Sequence, residues 1–112
     1  MTFGSLFPSE LPEKGQEFVR RYEESFGSGA QEYTANGYEA ANVLLDAIDR
    51  AYKADGIVTR AGVVRELFNT KNYDGVLGTW SFDGDGDTTL TKVSAQRVED
   101  GKIELYRTSD VG

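Results

Sequence analysis

The run Asp83-Gly84-Asp85-Gly86-Asp87 places acids at alternate positions of a glycine-rich segment, the kind of spacing that holds hard cations. An EF-hand loop carries acids at positions 1, 3 and 5, glycine at 6 and a bidentate glutamate at 12. Here Thr88 stands at the glycine position and Ser94 at the glutamate position, and strand-like segments replace the flanking helices. The reading is therefore a solvated hairpin turn, with no metal site. Glu23/Glu24 and Asp46/Asp49 have the composition of acid–base pairs, but they lie on charge-rich helix faces and nothing places them in a cleft. Gly27-Ser28-Gly29 and Gly84-Asp85-Gly86 are not phosphate cradles. Neither joins a strand to a helix with a following Lys-Ser/Thr, and Asp85 repels phosphate. Tyr33, Gly37 and Tyr38 fall where the longest helix begins; phenols and free N–H groups there suit a small ligand, or else both rings pack in the core. Trp80 is expected in the core.

The sequence contains no His and no Cys. Ser-His-Asp and Cys-His catalysis, thiolate zinc sites and disulfides are thereby excluded within the chain. The net charge of −7 argues against nucleic acid or an anionic membrane as partner, since both require clustered Lys and Arg. The longest apolar run is three residues, Val43-Leu44-Leu45, far short of a membrane span. The start, MTFGSLFPSELP, lacks the basic and long apolar regions of a signal peptide. At 112 residues the chain makes one modest domain.

The elements that position these residues are read from periodicity. Phe3 to Phe7 reads as a short strand entering a turn at Pro8, and Ser9 with Pro12 and Glu13 as a helix start. A first helix is expected from about Pro12 to Phe26, with Phe18, Val19, Tyr22 and Phe26 on one stripe and Gly27 as its stop. A second is expected from about Asn36 to Ala54, burying Ala41, Leu44, Leu45, Ile48 and Tyr52. Ala40, Val43, Ala47 and Ala51 widen that stripe. Thr59 caps a third, running to about Thr70 with Val63, Val64, Leu67 and Phe68 inward. After Asn72 the period becomes two. Val76, Gly78, Trp80 and Phe82 share one strand face, Leu90 to Val98 forms a second strand, and Glu99-Asp100-Gly101-Lys102 turns into a third from Ile103 to Tyr106. The tail from Thr108 is expected to fray.

These pieces in this order resemble a known family. QEFVRRYEESFG (16–27), YTANGYEAANVLLDAIDRA (33–51), VVRELFNTKNYDGVLGTWSFDGDGD (63–87) and EDGKIELY (99–106) are similar to the C-terminal part of branched-chain amino-acid (Leu/Ile/Val-type) substrate-binding proteins of ABC transporters. These are extracellular ligand-binding receptors of the type I periplasmic binding fold. The resemblance runs over about residues 3–106, and it is carried by the Phe-Gly helix end, the Gly-Tyr-Glu-Ala helix start and the pattern Asp-Gly-Val-x-Gly-x-x-x-Phe-Asp-x-x-Gly-Asp.

The resemblance implies an α/β fold that is part of a type I periplasmic-binding-protein lobe, three helices followed by an antiparallel strand meander. Residues 1–112 would form a single partial domain, with 1–75 the helical part of a ligand-binding lobe and 76–112 its terminal antiparallel strands. It implies a solute-binding component, or a C-terminal fragment of one, for branched-chain or related amino acids, with no catalysis and no cofactor. Tyr33 and Tyr38 are its candidate ligand-binding residues. The implied partners are an amino acid or similar solute in the complete protein and the ABC transporter's membrane permease; nucleic acid is not among them. The implied location is the periplasm or the extracellular face of the cytoplasmic membrane. The isolated chain is expected to self-associate, because its apolar stripes would pack on segments outside it. The competing reading is a small independent protein-interaction or self-association module.

Overall fold

The computed structural model describes residues 2–112. Strand β1 (Thr2–Gly4) leads through a short 3-10 turn at Pro8–Glu10 into helices α1 (Glu13–Phe26), α2 (Thr34–Asp55) and α3 (Arg60–Phe68). Strands β2 (Tyr73–Gly75), β3 (Gly78–Trp80), β4 (Lys92–Glu99) and β5 (Lys102–Asp110) follow. Three helices followed by antiparallel strands is the expected class. Pro12 stands at the N-cap of α1 and opens it, while Gly27 and Gly56, both at φ 71°, close α1 and α2 with left-handed turns. Thr59 caps α3 by accepting a hydrogen bond from the Gly62 N–H at 3.0 Å.

The buried line of α2 is Ala35, Glu39, Val43, Ala47 and Ala51, a strict i, i+4 ladder of mostly small residues. Leu44, Leu45 and Tyr52, expected inward, are 44%, 63% and 59% exposed. Close approach decides which side is buried. Gly62 of α3 sits on this line, and a Cβ there would lie 3.6 Å from that of Ala51. A line of alanines admits a neighbouring helix at that distance; a line of leucines does not. The bulkier stripe faces outward: Leu45 and Tyr52 are mostly exposed, and Leu44 and Ile48 are only partly covered by the described residues.

The strand region also differs from expectation. The stretch from Val76 to Phe82 is not one strand. It is divided by a turn at Val76-Leu77, and β2 and β3 pair antiparallel as a separate two-stranded sheet, with Tyr73 opposite Trp80 and Gly75 opposite Gly78. The second sheet is ordered β1-β4-β5, so the expected meander is completed by a strand from the N-terminal end. Thr2, Phe3 and Gly4 pair with Gln96, Ala95 and Ser94. The chain thus leaves this sheet after β1, builds the helices and the small hairpin, and returns at β4. The Phe7 N–H donating to Ser94 Oγ at 3.0 Å ties the two passages together. The tail is not frayed from Thr108: β5 continues to Asp110, and the Val111 N–H reaches the Thr91 carbonyl at 2.9 Å.

Glu39 explains the hairpin. Its side chain, 3% exposed, accepts from the Val76 N–H at 2.6 Å, the Leu77 N–H at 3.1 Å and the Trp80 indole N–H at 2.9 Å. The turn's amides are thus satisfied by a carboxylate rather than by a strand partner, which is why the period-two pattern breaks there. Gly75 is the close-approach position. A Cβ on it would collide with the Glu39 carboxylate and lie 2.8 Å from Tyr73 Cε1. Asp74 adds an ion pair with Lys14 of α1 at 2.6 Å.

Glu39→Ala is expected to cost about 3 kcal/mol or more, because a buried donor left without an acceptor costs about 1–3 kcal/mol. Chemical denaturation followed by Trp80 fluorescence measures it. In the same assay Ala47→Leu should cost about 1–3 kcal/mol by overpacking, whereas Leu45→Asp should stay within about 0.5 kcal/mol of the parent.

Candidate functional site

Tyr33 occupies the N-cap of α2 (φ −100°) with no side-chain cap, and its ring is 63% exposed. Tyr38 lies in the second turn and is 46% exposed. Neither ring belongs to the core. Tyr38 stacks on Phe18 of α1 with centroids 4.6 Å apart and an interplanar angle of 32°. Phe18 continues to Tyr22 at 6.0 Å, and Tyr22 to Phe26 at 4.8 Å. This aromatic row along α1 follows from the expected Phe18/Tyr22/Phe26 stripe; Phe18 meets α2 through Tyr38, while Phe26 is 70% exposed.

An open groove of about 550 Å³ runs along that row, lined by Lys14, Phe18, Arg21, Tyr22, Thr34 and Tyr38 among others. Tyr38 is part of its wall and Tyr33 is not, so the two candidates sit at the same helix end without sharing one pocket. The groove offers aromatic faces and two cations. One of these, Lys14, is already engaged with Asp74.

A second concavity of about 560 Å³ lies where the two passages between the sheet and the helices run side by side. Gly4, Ser5, Asn36, Thr79, Thr88 and Thr91 are among its lining residues. Ser5 Oγ donates to Asn36 Oδ1 at 2.9 Å, fastening the chain after β1 to the first turn of α2. No sequence reading could find it, since its walls come from stretches far apart in the chain and none carries a motif.

The remaining candidates are engaged otherwise. In the Asp83–Asp87 turn, Asp83 Oδ1 accepts from the Asp85 N–H at 2.9 Å and the Asp87 N–H at 3.0 Å. Asp46 pairs with Arg50, and Asp49 pairs with Lys53 at 2.6 Å. Arg50 also reaches the Glu66 carbonyl at 2.7 Å, which pins α3 to α2. Among the described residues no three His, Cys, Asp or Glu side chains converge on one point. Glu23 and Glu24 stay exposed on α1.

Tyr73 stacks against Trp80 at 5.6 Å. Burial, and after it the Glu39 carboxylate, pushes its phenol above the ordinary tyrosine range. In the alkaline window between the ordinary value of about 10 and the raised one, the folded chain holds a proton the unfolded chain has lost. Stability therefore falls as pH rises through that window. Tyr73→Phe should flatten the alkaline limb of a stability–pH profile measured by urea denaturation.

The match to known proteins agrees with this architecture. The model of the family described as periplasmic binding protein matches residues 1–102. A leucine binding protein from Thermotoga maritima superposes with a TM-score of 0.77 at 28% identity, over 96% of this chain and 30% of that one. A branched-chain amino acid transporter substrate binding protein from Streptococcus pneumoniae, in complex with isoleucine, gives 0.71 at 21% identity, over 97% of this chain and 29% of that one. An ABC transporter substrate-binding protein from Desulfitobacterium hafniense, in complex with Leu, gives 0.69 at 23% identity, over 92% of this chain and 30% of that one. No curated protein sequence matches the chain. The chain spans about 30% of the length of these solved relatives. With the family model matching nearly its whole length, and with the architecture of part of a type I periplasmic binding fold, this chain belongs to the periplasmic binding protein family.

Proposed function

We propose that this chain is part of the solute-binding component of an ABC transporter for branched-chain or related amino acids, and that it binds its solute without catalysis. The observation that carries the reading is the superposition of 96% of the chain on a leucine binding protein. In this reading residues 1–112 form one partial domain, with 1–75 its helical part and 76–112 its terminal strands; β1 crosses that division by pairing with β4. Tyr33 and Tyr38, at the exposed start of α2, supply part of one wall of the ligand site. The complete protein works at the periplasmic or extracellular face of the membrane and hands its solute to the permease. No cofactor takes part.

The outer edge of the β1-β4-β5 sheet, open among the described residues, favours a companion statement, that the chain alone self-associates; the exposed Leu44, Leu45 and Tyr52 give α2 an apolar face besides. A small interaction module would use the same face, and that is the competing reading of the chain.

A single wall leaves much of a small ligand in water. Calorimetry of the isolated chain with leucine, isoleucine or valine should therefore show nothing tighter than about 1 mM, or roughly −4 kcal/mol. Grafting residues 1–112 in place of the matching 30% of the Thermotoga maritima relative supplies the rest of a site. The folded chimera should bind leucine, and Tyr33→Ala in it should weaken binding by about tenfold, roughly 1.4 kcal/mol. A micromolar constant for the isolated chain, or a folded chimera that ignores all three amino acids, overturns the proposal.

A further inference from the structure

The β1-β4-β5 sheet ends on β5, a nine-residue strand whose outer edge pairs with nothing among the described residues. Open edges of this length are where a second strand adds. The direction of the backbone groups along β5 decides which additions are possible. Glu99 faces Lys102 across a two-residue turn, with Asp100 at φ 51° and Gly101 at φ 74°. In such a hairpin the flanking pair exchanges hydrogen bonds, so Lys102 and Glu104 turn their backbone groups to β4 while Ile103 and Leu105 turn theirs outward.

Tyr106 is the extra residue of a bulge, because Gln96 faces Leu105 whereas Ala95 faces Arg107. Beyond it the phase is set by the Val111 N–H donating to Thr91 O at 2.9 Å. Counting back by twos, Ser109 and Arg107 face β4, while Thr108 and Asp110 face outward. The bulge has therefore shifted the phase between the two halves of the strand.

That shift has a consequence for self-pairing. We propose that two copies of this chain pair antiparallel through β5, about a two-fold axis between Leu105 and Tyr106, into one continuous six-stranded sheet. In this register Ile103 opposes Thr108, both with outward backbone groups that hydrogen-bond across the axis. Glu104 opposes Arg107, both turned inward, as the alternation of an antiparallel ladder demands. Directly opposed side chains share a face, so the two-fold creates two Glu104–Arg107 pairs of opposite charge; Tyr106 lies on that charged face against Arg97 and Arg107, and the two Leu105 side chains flank the axis on the other face. Moving the axis onto Tyr106 would oppose Ile103 to Ser109, one outward and one inward, and the ladder would fail. Backbone phase also admits an axis between Tyr106 and Arg107, which opposes Ile103 to Asp110 and Glu104 to Ser109, so the Glu104–Arg107 charge pairs select between the two registers. Val98 and Ile103, opposed on the hairpin and 72% and 68% exposed, extend the apolar strip beside the new pairing.

The proposal makes the self-association stated above specific to one edge, and it is independent of solute binding. The test is sedimentation equilibrium of the full 112-residue chain from low to high micromolar concentration, with amide spectra reporting folding. The parent should dimerise. Arg107→Glu, at a position opposite Ala95 and so without a charged partner in its own hairpin, places like charges across the axis and should weaken dimerisation by about tenfold. Adding Glu104→Arg to it, with Arg97→Gln beside it to remove the like charge that Glu104→Arg would meet in its own hairpin, restores opposite charges across the axis and should bring the constant back to within about threefold of the parent. Ile103→Pro removes only an outward N–H and should abolish the dimer in a chain that stays folded. A monomeric parent overturns the proposal. So does a dimer that survives Arg107→Glu and Ile103→Pro but dissociates with Leu45→Asp, which would place the contact on the α2 face.

Discussion

Glu39 is a carboxylate removed from water without an ion-pair partner among the described residues, and three N–H donors make that tolerable. Desolvating such a group without partners would cost far more than the chain can offset, whereas hydrogen bonds to an ionised acceptor are among the stronger ones available. Two donors are the turn amides of Val76 and Leu77, and the third is the Trp80 indole. The contact therefore fixes three things together: the rotation of α2, the place where the β2–β3 hairpin turns, and the burial of Trp80. Gly75, where a Cβ would collide with the same carboxylate, permits this close approach.

The rotation of α2 decides what the surface offers. Ala35 and Val43, one turn on either side of Glu39, are buried with it, and the buried row continues through Ala47 to Ala51, where Gly62 of α3 packs closely. The leucines and Tyr52 are carried outward by the same geometry. At the other end of the helix, Tyr33 and Tyr38 are left on the outside, with Tyr38 leaning on Phe18. The exposed helix start and the uncovered leucine face are two results of one constraint. Both suit a chain that makes up about 30% of the length of its solved relatives.

Much of the architecture was legible in the sequence. Pro12, Gly27, Gly56 and Thr59 mark helix ends by local conformational preference, and the Asp100-Gly101 turn is announced by residue type alone. Burial on α2 was legible only in part: Val43, Ala47 and Ala51 were placed in the buried stripe and are buried, but the stripe was centred on the leucines. Hydrophobicity ranks leucine above alanine, but helix–helix distance ranks them the other way, and distance is a tertiary quantity. The break at Val76-Leu77 was hidden for a similar reason, since its cause is a glutamate thirty-seven residues earlier. The Gly-Tyr-Glu-Ala and Asp-Gly-Val-x-Gly pieces that carried the resemblance are the two ends of that contact, which gives their pairing a physical meaning. Of the candidate site, the two tyrosines are named from their position at a helix start. The groove along Phe18 and the cleft beside Asn36 needed folded coordinates.

Native-state hydrogen exchange tests the central role of Glu39 most directly. The Val76 and Leu77 amides and the Trp80 indole N–H should exchange only as fast as the Ala47 amide in the core of α2, through global unfolding. In Glu39→Gln these three should lose protection while Ala47 keeps most of its own. If they exchange in the parent at the rate of the exposed Asp83–Asp87 turn, the Glu39 contact does not hold the hairpin and the account fails.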